Sequence, residues 1–195
     1  MKSKFTKMMN ISFITSALFI VLGVSTFIFK NPEIEKFAYV IAGIFILNGG
    51  ANIIDDYSVF KPFYFFDGFT SGLLSIILGV TIVLNTELFT KASTNSGNTY
   101  MVVLPIAVGL WFIISSTFKL RMSLALKDTN NNAWLPTYIL ALLTIVLGLY
   151  LIINPSIGTI SIIKLGIPFI IFAIFDIIEV YIFKKNIKAI IRVFE

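Results

Sequence analysis

The sequence predicts an all-α, polytopic membrane protein: six transmembrane helices arranged as three repeated helical hairpins. Three observations carry that expectation. Apolar residues make up 57% of the 195-residue chain and charged residues 13%, with a mean hydropathy of +0.95, whereas soluble domains average about 45–50% and about 25%. Apolar runs of roughly 20 residues, the length that crosses a hydrocarbon core about 30 Å thick, recur along the chain. A Leu-Gly pair also returns three times in the same setting. A soluble fold of this size leaves roughly a third of its unfolded surface in water, too much for so apolar a chain. Lipid is the expected solvent, and residues 1–195 are used up by a single membrane domain.

The spans are expected at 11–29, 37–54, 63–84, 101–118, 135–153 and 157–183. The first follows MKSKFTKMMN, which has the charge of a signal peptide. Its apolar run is as long as a bilayer span and no small-residue cleavage site follows, so an uncleaved helix is expected. The second ends at Asp55-Asp56, carboxylates expected to be solvated at the interface. The third opens on Phe63, Tyr64, Phe65 and Phe66 after Pro62, and the fifth on Trp134, Pro136 and Tyr138. Aromatic rings suit the membrane–water interface, and proline near a helix start removes an N–H that has no helical partner. Pro105 and Pro168 are expected inside the fourth and sixth spans, where they would kink the helix. Such kinks are common in bundles, and that reading is preferred over the broken helices of a transporter site. The segment 85–100 (NTELFTKASTNSGNTY) reads as a flexible loop from its Ser, Thr, Asn and Gly content.

Orientation follows from the basic residues. With the N-terminus inside, eleven Lys and Arg fall on the inner side (Lys2, Lys4, Lys7, Lys61, Lys119, Arg121, Lys127, Lys184, Lys185, Lys188, Arg192). Three fall outside (Lys30, Lys36, Lys91), and Lys164 is left within the last span. The positive-inside bias then puts both termini in the cytoplasm. The net charge of +5 is therefore not a nucleic-acid footprint. The basic stretch from Lys184 to Arg192 is expected to lie on the anionic inner leaflet.

The repeat is the most informative feature. SALFIVLGVSTFIFKNP (16–32), GLLSIILGVTIVLNT (72–86) and ALLTIVLGLYLIINP (141–155) align on Leu-Gly. Each has a small residue seven positions before its glycine, in Ser16/Gly23, Gly72/Gly79 and Ala141/Gly148. The following helix gives Gly43/Gly50, Gly109/Ser116 and Gly166/Ala173, again seven apart. Seven residues are nearly two helical turns, so each pair lies on one stripe. In lipid, close backbone approach at such stripes drives association, so helix packing is expected there rather than the lining of a pathway. Gly68, Ser75 and Ser12 extend the stripes at four-residue steps.

With this triplicated hairpin the chain resembles the HdeD-like family of small bacterial membrane proteins. The motifs are Leu147-Gly148…Asn154-Pro155, Leu78-Gly79…Asn85-Thr86 and Leu22-Gly23…Asn31-Pro32, each followed by a glycine-bearing helix at Gly166, Gly109 or Gly43. Thr86 and the 87–100 insertion depart from the pattern. The resemblance covers about 11–183 and implies a six-span protein of the bacterial cytoplasmic membrane, linked in enteric relatives to acid-stress resistance. It implies no catalytic residues.

The chain has no Cys and no His, which removes disulfides, thiolate and His-based catalysis, haem ligation by His and the usual zinc sites. G-x-S-x-G, Walker, G-x-G-x-x-G and H-E-x-x-H motifs are missing too, so neither an enzyme nor a cofactor is expected. The partners expected are the bilayer and, beyond it, a second copy or another membrane protein. Charges inside a span cost about 2.5–3.5 kcal/mol at its centre, which marks Asp67, Lys164, Asp176 and Glu179 as the candidate intramembrane polar site. The simpler readings are headgroup depth beside Lys61 for Asp67 and snorkelling for Lys164. Asp176 and Glu179, at i and i+3 on one face, would then answer Lys184, Lys185 or Lys119 at the interface. The sharper reading is a proton- or cation-responsive site of Asp67, Asp176 and Glu179 inside the bundle. A transporter or channel for protons, cations or small solutes is the second functional expectation, behind a non-enzymatic stress-related membrane protein.

Overall fold

The computed structural model describes residues 2–28, 34–59, 65–87, 93–95, 98–100, 103–154 and 162–188. Among them are six long helices: α1 (Lys2–Ile28), α2 (Ile34–Val59), α3 (Phe65–Leu84), α4 (Val103–Asp128), α5 (Trp134–Ile153) and α6 (Ile162–Lys185). The protein is an all-helical bundle of the polytopic membrane class. Span-like apolar stretches occupy Lys36–Ile53, Val103–Asp128, Trp134–Ile153 and Leu165–Lys185, while α1 and α3 contribute the shorter runs Ser12–Ile28 and Phe69–Leu84. Large apolar side chains cover the outside, among them Ile14, Val21, Leu47, Leu84, Val146 and Ile153. Water would not tolerate so continuous an apolar coat; lipid does.

Between α3 and α4, residues 88–92, 96–97 and 101–102 lie outside the described residues, and two short strands are described. Ser93–Asn95 (β1) and Asn98–Tyr100 (β2) pair antiparallel, with Asn95 opposite Asn98. The Thr content that reads as a loop also suits short strands. At the α4–α5 connection Asn130 adopts φ 54°, and the N–H groups of Asn130 and Asn131 bond the carbonyls of Lys127 and Leu126. This is a Schellman closure, with Asn in place of glycine. Asn131 Oδ1 then accepts from the Ala133 N–H at 2.8 Å and starts α5. The Asn-Pro outer turns at 31–32 and 154–155 are not both described: only Asn154 falls within the described residues.

Of the two prolines expected inside helices, one sits differently and one as expected. Helix α4 starts at Val103, which puts Pro105 in its first turn, where no kink is required. Pro168 does lie inside α6. The described part of the sixth helix is Ile162–Lys185; residues 157–161 of the expected span lie outside the described residues.

The closest helix pairs are α2 with α3, α4 with α5, and α1 with α6; contacts within each sequence hairpin are looser. The first helix of each repeat therefore docks on the second helix of the preceding repeat, and α1 against α6 closes the ring. The small-residue stripes make these interfaces. A Cβ on Gly148 would stand 2.6 Å from the Gly109 carbonyl oxygen, and one on Gly109 2.6 Å from that of Gly148. The Gly23 position meets the Gly166 carbonyl at 2.8 Å and Gly166 meets Gly23 at 2.7 Å. Along the same stripes Ser16, Ser116, Ala141 and Ala173 are fully buried.

The third interface corrects the expected register. Gly79 faces the Ala42 carbonyl (2.7 Å) and Gly72 faces Gly49 (2.7 Å), whereas Gly43 and Gly50 have nothing within 4 Å of an added Cβ. The packing stripe on α2 is Ala42/Gly49, one residue before the expected Gly43/Gly50. One residue is about 100° of helical rotation, enough to turn that glycine pair off the interface.

The inner helices α2, α4 and α6 meet through aromatic rings. Phe45, Phe112 and Phe169, each three residues after Ala42, Gly109 and Gly166, are fully buried. Trp111 stacks on Phe45 with centroids 4.8 Å apart, and Phe112 stacks on Phe172 at 4.5 Å. The Trp111 Nε1–H donates to Ser75 Oγ at 2.7 Å, which satisfies a polar group in the dry centre.

Candidate functional site

The site forms where three helices converge beside the aromatic core, toward the end of the bundle that carries the α4–α5 turn. Helix α6 contributes Asp176 and Glu179. They lie one turn apart on the stripe that also carries Phe169, Phe172, Ala173 and Val180, all buried, so the bundle and not lipid receives both carboxylates. Helix α4 contributes Lys119 from the stripe of Phe112, Ser116 and Ser123. Helix α1 contributes Ser12 and Ser16, one turn from Phe19.

Lys119 Nζ contacts Asp176 Oδ1 and lies 2.7 Å from Glu179 Oε2. Lys119 and Glu179 are each 5% exposed, so neither charge reaches bulk solvent. The Asp176 side chain is 19% exposed and gives the cluster its one partly open edge. The ammonium also sits 5.2 Å from the centroid of Phe172, an added attraction to the ring face. The Ser16 hydroxyl lies 2.7 Å from the Ser12 carbonyl oxygen and 3.0 Å from Asp176 Oδ2. Burying an ion costs several kcal/mol, and attraction offsets this only when the partners are close and hydrogen-bonded. Two carboxylates around one ammonium meet that condition for Lys119 and leave one negative charge over when all three groups are ionised.

Of the four residues the sequence singles out, the structure brings Asp176 and Glu179 together. Their partner is Lys119, the buried one of the three cations considered; Lys184 and Lys185 are exposed. The side chains of Asp67 and Lys164 lie outside the described residues, as do those of Asp55 and Asp56. Along α6, Lys164 and Asp176 are twelve residues apart, about 18 Å of helix, so their backbones stand at different depths. Sequence reasoning left out Lys119 and Ser16 as site members. The repeat register carried a signal for Lys119: it stands ten residues after Gly109, as Asp176 stands ten after Gly166 and Asn52 ten after Ala42. The equivalent positions of the second and third repeats thus carry complementary charges, and that of the first carries a neutral amide. Ser16 does belong to the α1 stripe, as expected, and it bonds Asp176 as well.

Comparison with protein families matches residues 14–84 and 139–193 to a short repeat of unknown function (DUF308). The matched segments take in α2, α3 and α6, α1 from residue 14 and α5 from residue 139, and hence Ser16, Asp176 and Glu179, while α4 with Lys119 lies between them. No curated protein matches the chain, and no solved structure does. A repeat family whose matches cover well over half of the chain agrees with the internal repeat read from its Leu-Gly pairs. The chain belongs to the family of the short repeat of unknown function (DUF308), a family of membrane proteins.

Proposed function

We propose that this chain is a non-enzymatic integral protein of the bacterial cytoplasmic membrane, of the HdeD-like kind, with a role in the response to acid stress. All six helices cross the bilayer in this reading and both termini are cytoplasmic. The observation that carries it is the interior: where α2, α4 and α6 meet, the axis is filled by Phe45, Trp111, Phe112, Phe169 and Phe172 in ring-to-ring contact. The ionic cluster of Lys119, Asp176 and Glu179 joins helices to each other. A packed axis suits a structural or responsive protein better than a conduit. Epitope tags at the two ends, probed by protease on sealed inside-out vesicles, should both be cleaved. A strain lacking the protein should survive acid challenge less well than the complemented strain; equal survival would remove the stress role.

The second reading is a small transporter or channel. It is favoured by the buried carboxylates and by Pro168 inside α6, since intramembrane charges and interrupted helices occur on substrate pathways. Proteoliposomes containing the purified chain should move protons and potassium no faster than empty vesicles. Reproducible flux that disappears in D176N would replace the first reading with this one.

A further inference from the structure

The aromatic filling of the axis stops partway along the bundle. Six residues after Ala42, Gly109 and Gly166 stand Asn48, Ser115 and Phe172. In the third repeat the ring of Phe172 fills this level, stacked on Phe112. The first two repeats put a carboxamide and a hydroxyl there, and Asn52 follows Asn48 one turn on. Both asparagines face the axis. They stand three and seven residues after Phe45, whose ring stacks on Trp111, while the opposite side of α2 carries Leu47, exposed toward lipid. Burial changes along this stripe. Ile41, Ile44 and Phe45 are buried, whereas Asn48 and Asn52 are half-buried, as are Ser115 on α4 and Ser12 on α1. The helices therefore part toward the α4–α5 turn, where their axis-facing residues become polar. Within the described residues neither Asn48 nor Asn52 has a hydrogen-bond partner. A carboxamide brings two donors and an acceptor, and leaving them unmet in an apolar interior is costly, so the pair calls for a polar medium.

We propose that the axis between the aromatic rings and the α4–α5 end is a water-filled vestibule, blind at Phe45, Trp111 and Phe112, that binds one small ammonium-type cation. Its walls are Asn48 and Asn52 of α2, Ser115 of α4, Ser12 of α1 and the partly exposed edge of Asp176. Asp176 stands at the repeat position of Asn52, and two carboxylates around the Lys119 ammonium leave one negative charge over at this level. An ammonium group offers three N–H donors and a positive charge. The two carboxamide oxygens and the carboxylate edge take the donors, and the surplus charge answers the cation. A blind vestibule holds its guest without conducting it. The inference rests on the bilayer-embedded bundle of the proposed function and on neither its stress role nor its orientation.

Cysteine accessibility tests it, since the chain has no cysteine of its own. N48C, N52C and S115C are made in the full chain, each first shown to keep the wild-type SDS unfolding curve. In sealed vesicles all three should react with membrane-impermeant methanethiosulfonates from the face that labels T129C in the α4–α5 turn, and not from the other. I41C, beyond the rings, and L47C, toward lipid, should stay unlabelled. Relative to a free thiol in water, the trimethylammonium reagent should label S115C about tenfold faster than the sulfonate reagent, because a cleft of one charge sign concentrates its counter-ions. D176N should bring those two rates together. Methylammonium chloride should slow labelling of S115C where equal sodium chloride does not. Silence at all three positions overturns the vestibule, and so does labelling of I41C or entry from both faces. Equal relative rates for the two reagents, or labelling indifferent to methylammonium, overturn the cation. Three positions probe one space, so the loss of one variant leaves the test standing. Acid survival and the sidedness of terminal tags do not enter these readouts, so the proposed function can fail while this site stands, and the reverse.

Discussion

Lys119 is the residue on which the buried cluster depends. Replacing it with methionine keeps an apolar stem, removes the ammonium that sits over Phe172 and leaves two carboxylates without their cation. Removing one partner of a buried ion pair costs about 3–5 kcal/mol, so K119M should lower stability by that order in an SDS unfolding titration from mixed micelles. The triple variant K119M/D176L/E179M should recover most of the loss, because apolar replacement of a whole buried ionic group is often neutral or stabilising. A triple variant as unstable as K119M would mean that the cluster's shape, not its charge, holds the helices. S16A removes one hydrogen bond from the cluster and should cost about 1 kcal/mol by the same titration. At this scale the sequence was half legible. Depth and the i, i+3 spacing picked out Asp176 and Glu179, but the choice among three candidate cations depends on which helix faces α6, a matter no local pattern records.

At the scale of the helix, the small-residue stripes were readable and their register was not. Gly148 and Gly109 touch across α4 and α5 so closely that a side chain on either meets backbone, which has nowhere to yield. Gly148→Val should therefore separate the two helices and cost several kcal/mol, on the order of an overpacked core site or more, seen as loss of the folded fraction in detergent. Gly43→Ala should behave in the opposite way. Its Cβ enters open space, and alanine is favoured over glycine inside a helix by about 0.5–1 kcal/mol, so the variant should be as stable as wild type or slightly more so. Gly49→Ala should be destabilising, since the new methyl would run into the Gly72 carbonyl oxygen. Finding G43A damaging and G49A harmless would restore the register expected from sequence alignment. The misreading has a simple origin. The segment Ala42-Gly43 and the pair Gly49-Gly50 each offer two adjacent small residues, and spacing alone fits either choice.

For the whole molecule, the ring order of the helices is the new element. Sequence neighbours make hairpins, yet the tightest interfaces run between successive repeats, and α1 closes the ring on α6. The chain has no cysteine, so the closure can be read directly. The double variant S16C/A173C, with both sites on the facing stripes and fully buried in wild type, should form an intramolecular crosslink with a short thiol reagent in membranes. A mobility shift absent from S16C/A173C but present for a control pair in α1 and α2 would show hairpins packed as independent units.

By itself the sequence determined the solvent, the helical class and the threefold repeat, because lipid leaves a backbone no alternative to helices here and composition reports the medium directly. It also determined that small residues make the helix contacts. The tertiary structure alone decided which stripe meets which, that Lys119 stands between two carboxylates of α6, and that Ser16 serves both the packing and the charge. Those outcomes turn on rotations of about 100° per residue and on contacts between helices far apart in the chain, and neither is written in local periodicity.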